Sequence, residues 1–147
     1  MTTEERHQHY VEVINPQLDA LARLICEASG IDDRILDQSR YQDLLAFYTG
    51  QVSHGCWHPA LTEAVADFTA ARDAVAALPY YRLALEQARE LACDTHTILI
   101  AMAQAFFKVG QKEQAEACLR DGRAEAVRRG DDEYAREADR VLRESPA

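Results

Sequence analysis

The sequence predicts an all-α fold, on three observations. Of its 147 residues 25 are alanine, against eight valine and six isoleucine; alanine has the best helix propensity, whereas β-branched residues lose rotamer freedom in a helix. Apolar residues recur at spacings of three and four along most of the chain. Glycine, proline and the capping residues Asp, Asn and Thr separate those stretches. The length suits a single domain, 1–147, with N-terminal helices over 1–58 and paired helices over 59–147.

The elements follow in order. From Thr3 to Ile14 the residues Tyr10, Val11, Val13 and Ile14 gather on one side, and Asn15-Pro16 offers an N-cap followed by proline at the first helical position. A second helix therefore starts there, or the first one kinks. Leu18, Leu21, Leu24, Ile25 and Ala28 form its stripe up to the stop at Ser29-Gly30. Asp32 and Asp33 can cap a third helix through Ile35, Tyr41, Leu44, Leu45 and Tyr48, ending near Gly50. Residues 52–58 have no helical period and read as a loop, and Pro59 suits the next helix start. The stripe Leu61, Ala64, Val65, Phe68, Ala71 and Val75 is expected to end before Pro79, and Tyr81, Leu85, Ala88 and Leu91 follow it. Leu99, Met102, Ala103 and Phe106 run up to Val109-Gly110; Ala115, Leu119, Gly122 and Val127 run up to Gly130; and a last helix spans Asp132 to Glu144.

Charge narrows the function. With 16 basic and 25 acidic residues the net charge is -9, so phosphate backbones and anionic lipid surfaces are repelled, and neither nucleic acid nor a membrane is an expected partner. The late arginines from Arg120 to Arg143 are interleaved with Asp and Glu, as on a solvated helix face laced with ion pairs. The four cysteines, at 26, 56, 93 and 118, never form CxxC, and no signal-peptide stretch follows Met1. Cytoplasmic placement is the expectation, with Cys26, Cys93 and Cys118 as small core residues.

Sliding the chain against itself by 34 residues pairs Ala64 with Ile98, Phe68 with Met102, Ala71 with Ala105, Tyr81 with Ala115 and Leu85 with Leu119. Residues 96–129 supply Leu99, Met102, Ala103, Phe106, Gly110, Ala115, Leu119 and Gly122, while 62–95 supply Val65, Phe68, Thr69, Leu85 and Ala88, with Arg72 where an aromatic belongs. This alternation of bulky and small residues resembles the tetratricopeptide (TPR) repeat family over the C-terminal half. The resemblance implies two TPR-like hairpins closed by the final helix. It also implies a non-catalytic adaptor or chaperone-like role, in which a concave groove docks a partner polypeptide.

In that register the groove is lined by Ile100, Gln104, Phe107 and Lys108 from one copy and by Glu63 and Asp73 from the other. The first copy has Ala66 and Ala70 where carboxylate-clamp domains of the family carry cationic or amide side chains. An apolar or partly basic peptide is therefore the expected ligand, and a second copy of the chain is another candidate partner.

One constellation suggests different chemistry. His54, Cys56 and His58 alternate, and in an extended loop alternate side chains share a side, so two imidazoles and a thiolate could converge on zinc, with Asp94 or His96 as a fourth ligand. The same segment also reads as Trp57 anchoring the loop and His58 capping the next helix. No GxSxG, P-loop, GxGxxG or HExxH motif occurs, a di-iron bundle would need a second ExxH, and neither an enzyme nor an obligatory cofactor is expected.

Overall fold

The computed structural model describes residues 1–145. Its helices are α1 (Thr3–His9), a π turn (Tyr10–Ile14), α2 (Asn15–Gly30), α3 (Arg34–Ser53), α4 (Pro59–Ala70), α5 (Ala74–Glu90), α6 (His96–Lys108), α7 (Lys112–Arg128) and α8 (Asp132–Glu144). The protein is all-α, and no strand occurs among the described residues. It divides into two compact units, Met1–Val65 and Ala66–Ala147, with the division inside α4.

In the first unit α1 opens on a capping box: Thr2 Oγ1 accepts from Glu5 N at 3.1 Å, and Glu5 Oε1 accepts from Thr2 N at 3.2 Å. At Asn15-Pro16, where a second helix or a kink is expected, α2 begins with no break in the helical conformation. Instead the helix widens, with Asn15 N–H donating to the Tyr10 carbonyl five residues back, and α2 continues in α geometry. Proline lacks an N–H and crowds the preceding turn, and the wider turn accommodates it without ending the helix. Asn15 is therefore not a cap; its side-chain oxygen accepts from the Tyr10 hydroxyl at 3.3 Å. α2 packs against α3, and Ile14, Leu18, Ile25 and Leu44 are buried. Asp33 caps α3 through Leu36 N at 2.9 Å, and α3 runs through Gly50 to Ser53.

In the second unit α6 packs against α5, α7 and α8. The expected break at Pro79 is absent. α4 ends at Ala70, Asp73 accepts from Val75 N and Ala76 N, and Pro79 lies inside α5. Two donors satisfied at Asp73 decide where that helix begins, and Pro79 is tolerated on an exposed face.

This moves the internal repeat. α5 (74–90) and α7 (112–128) are offset by 38 residues, as are the ends of α4 at 70 and α6 at 108, so the helix boundaries repeat at 38 and not at the expected 34. At 38 Phe68 aligns with Phe106, which supplies the aromatic that the shorter offset lacked. Ala77 aligns with Ala115, Tyr81 with Leu119, Ala84 with Gly122, Gln87 with Glu125 and Ala88 with Ala126, and every member of these five pairs is buried. At Gly122 the backbone passes so close to α6 that a Cβ there would lie 3.1 Å from Ile100 Cγ1 and 3.2 Å from Leu99 Cβ, the close approach that small residues permit.

Candidate functional site

The expected partner-binding residues divide into three groups. Gln104, Phe107 and Lys108, one turn or less apart at the end of α6, line a cleft of about 300 Å³ with Arg140, Val141, Glu144 and Ser145 at the end of α8. Phe107 is half-buried there and Lys108 is exposed. Arg140 donates to both Glu137 and Glu144, which leaves one carboxylate charge in excess on the α8 rim.

Ile100 is not a groove residue. It is 2 % exposed and its side chain lies against Gly122 of α7, because α6 is sandwiched between neighbours and its Ile100 face meets α7. Asp73 is committed to capping α5, and Glu63 belongs to the first unit, on α4.

The His-Cys-His segment does not form a three-ligand site. The chain turns at Gly55, φ 74°, so the alternation of an extended strand is lost. His54 Nδ1 is 2.7 Å from the Gly50 carbonyl oxygen, Cys56 Sγ donates to the His54 carbonyl oxygen at 3.6 Å, and His58 is engaged elsewhere. Asp94 pairs with Arg129, and His96 Nε2 lies 2.9 Å from Asp131 Oδ2. Among the described residues no group of three or more His, Cys, Asp or Glu is placed to hold a metal ion. The zinc alternative is not carried further.

The cysteine expectation is also revised: Cys26 is exposed, and Cys93 and Cys118 are half-buried. Burial pushes the thiols of Cys93 and Cys118 above their ordinary value, with Asp94 and Asp121 adding to it. The interleaved charges do pair. Arg123 bonds Asp139 at 2.9 Å, and Arg129 bridges Glu125 and Asp94 at 2.5 Å each. Glu125 is itself 7 % exposed and also pairs with Arg128, so the cleft beside Arg89, Cys93 and Arg128 has carboxylates within it.

The densest polar cluster was not legible as a site. Arg6 is 9 % exposed; its Nη1 donates to the carbonyls of Gly55 at 2.9 Å and Trp57 at 2.8 Å, and its guanidinium lies 3.7 Å above the centre of the Trp57 ring. His7 Nδ1 and His58 Nε2 are 2.9 Å apart, and Tyr10 stacks on the His58 ring with centroids 4.2 Å apart. His58 is 6 % exposed and caps α4, its Nδ1 accepting from Ala60 N at 3.1 Å. Burial, followed by His7 and Arg6, holds its pKa down at about 4. The sequence signalled Trp57 as the anchor of the loop and His58 as the cap of the next helix, which it is; nothing linked them to Arg6 and His7, some fifty positions away.

Compared with protein-family models, with curated proteins and with solved structures, the chain finds no match in any of the three.

Proposed function

We propose that this protein is a non-catalytic, cytoplasmic docking module. In this reading its TPR-like second unit seats a short peptide in the cleft between the ends of α6 and α8. The observation that carries the reading is the cleft itself, where three of the residues expected from the repeat pattern, Gln104, Phe107 and Lys108, meet Val141 around one concavity of about 300 Å³. A half-buried aromatic in a concave apolar floor with a polar rim is the form that a peptide anchor site takes.

The occupant is a segment with one apolar anchor and basic flanks. The anchor fits against Phe107 and Val141, and the chain's net charge of -9 favours a cationic approach. A sequence without GxSxG, P-loop, GxGxxG or HExxH motifs also favours binding over catalysis.

The test is selection from a random peptide library on the full chain, followed by calorimetric titration of the enriched peptides. Expected are peptides with an apolar residue between Lys or Arg, and a loss of affinity of about tenfold or more in Phe107→Ala. Ile35→Ala, on α3 of the first unit, should leave binding unchanged. Enriched peptides that bind Phe107→Ala as well as wild type would overturn the reading. Concentration-dependent dimerisation that Phe107→Ala abolishes would replace the peptide with a second copy of the chain.

A further inference from the structure

Counting protons at the His7–His58 contact leads beyond docking. Ala60 N–H already donates to His58 Nδ1, so the neutral His58 ring carries its proton on Nε2. That proton points at His7 Nδ1, 2.9 Å away, which must be bare to accept it. The contact therefore exists in one protonation state of the pair. A proton added to His7 Nδ1 places two N–H groups face to face, and one added to His58 Nδ1 faces the Ala60 N–H. The same count argues against a metal bridging the two rings, because His58 Nε2 holds a hydrogen.

The surroundings sharpen this dependence. α1 presents the fixed positive charge of Arg6 to the cluster, the π turn presents Tyr10, and the loop presents the Trp57 ring and the carbonyls of Gly55 and Trp57. Asp19 of α2 and Glu63 of α4 act on the Tyr10 hydroxyl. His9 Nε2 lies 3.0 Å from Gln51 Oε1 at the end of α3. Burial, His7 and the Arg6 guanidinium all disfavour an imidazolium at His58.

We propose that His7 and His58 form a proton-sensitive latch: α1 stays seated on the segment Gly55–His58 while the His58 ring is neutral and donates to His7, and it is released when His58 takes up a proton. The sign follows from burial. A histidine held neutral in the seated state binds protons more readily once released, so acid favours release, beginning below the free-imidazole value of about 6.5.

Trp57 is the sole tryptophan of the chain and lies under Arg6, so its emission reports the seat directly. The experiment follows that emission in the full chain from about pH 7.5 to about pH 4, beside the histidine ring resonances and the Met102 methyl resonance of the second unit. Expected is a reversible change in Trp57 emission with a midpoint below about pH 6.5, in step with His58 and with the Met102 signal unmoved. His7→Asn offers an amide oxygen that accepts from His58 Nε2 but removes the His7 contribution that helps hold His58 neutral, so acid penalises the seated state less and the midpoint of release should fall by about half a pH unit or more. Constant emission over the range, a change shared with Met102, or a midpoint unmoved in His7→Asn would overturn the latch. If His7→Asn does not fold, the wild-type rings decide: a His58 that titrates near about 6.5, out of step with Trp57, overturns it equally.

Discussion

Ala92 sits two residues past the end of α5 with φ 55°, the place that Gly110 holds after α6 at φ 81° and Gly130 after α7 at φ 73°. All three helices close alike, with Cys93 N bonded to the Ala88 carbonyl, Gln111 N to Phe106 and Asp131 N to Ala126, at 2.8 to 2.9 Å. Of these three closing residues only Ala92 carries a Cβ, as Asp32 at φ 53° does after α2. Ala92→Gly is expected to raise stability by about 0.5 to 1 kcal/mol, the relieved strain exceeding glycine's larger unfolded entropy, as urea titration would show. Asp131 offers a second residue-scale test. Its carboxylate accepts from Tyr134 N at 3.2 Å and meets His96 Nε2 at 2.9 Å, and these bonds, the backbone one foremost, hold its pKa below the ordinary value. A depressed carboxylate stabilises above its unfolded pKa of about 3.9 and loses that contribution as pH falls through the folded value. Asp131→Asn should therefore be less stable than wild type near neutrality, and the gap should close as pH falls through the lowered folded value, in denaturation curves taken across pH.

At the scale of elements, the prolines expected to mark a helix start and a helix end, Pro16 and Pro79, both lie within helical runs, and each is accommodated for its own reason. Pro16 follows the π turn, and Pro79 is exposed in α5 downstream of a helix start that Asp73 has already set. Pro79 still removes one backbone bond, so Pro79→Ala is expected to gain about 1 to 3 kcal/mol, read as a higher Tm in calorimetry. The displaced break also explains the repeat. Offsets of 34 and 38 differ by about one helical turn, which returns each apolar residue to nearly the same face, so periodicity alone could not separate them. The boundaries were set instead by caps at Asp73 and by the turn at Gly110. Periodicity also cannot show that α6 has neighbours on more than one side, which is why Ile100 is expected in the groove and lies in the core. Ile100→Ala is expected to cost about 2 to 4 kcal/mol as a core truncation, while Phe107→Ala costs clearly less. Parallel urea titrations of the two variants check this difference.

Over the whole molecule the charge is uneven in amount though not in sign. Residues 1–65 carry ten acidic and four basic side chains, and the remainder carries fifteen and twelve. The second unit neutralises itself through pairs such as Arg123–Asp139 and Arg129–Glu125, whereas in the first unit, with ten acidic against four basic side chains, Arg40 lies 3.8 Å from Asp43. Mutual repulsion should therefore be felt mainly in the first unit. Raising sodium chloride from about 20 to about 200 mM is expected to stabilise it, seen as slower amide exchange of α2 and α3, with little change in α6 and α7. No described helix is long and apolar enough to cross a membrane.

The sequence by itself determined the fold class, the last helix at Asp132–Glu144, and the association of Gln104, Phe107 and Lys108, because helical periodicity and capping act over a few residues and survive in any tertiary setting. Tertiary structure decided what those rules leave degenerate. It chose which of two offsets one turn apart the helices adopt, whether Ile100 faces core or cleft, and whether His54, Cys56 and His58 converge. It also seated Arg6 and His7 on Trp57 and His58, a contact between residues some fifty positions apart for which local patterning carries no information.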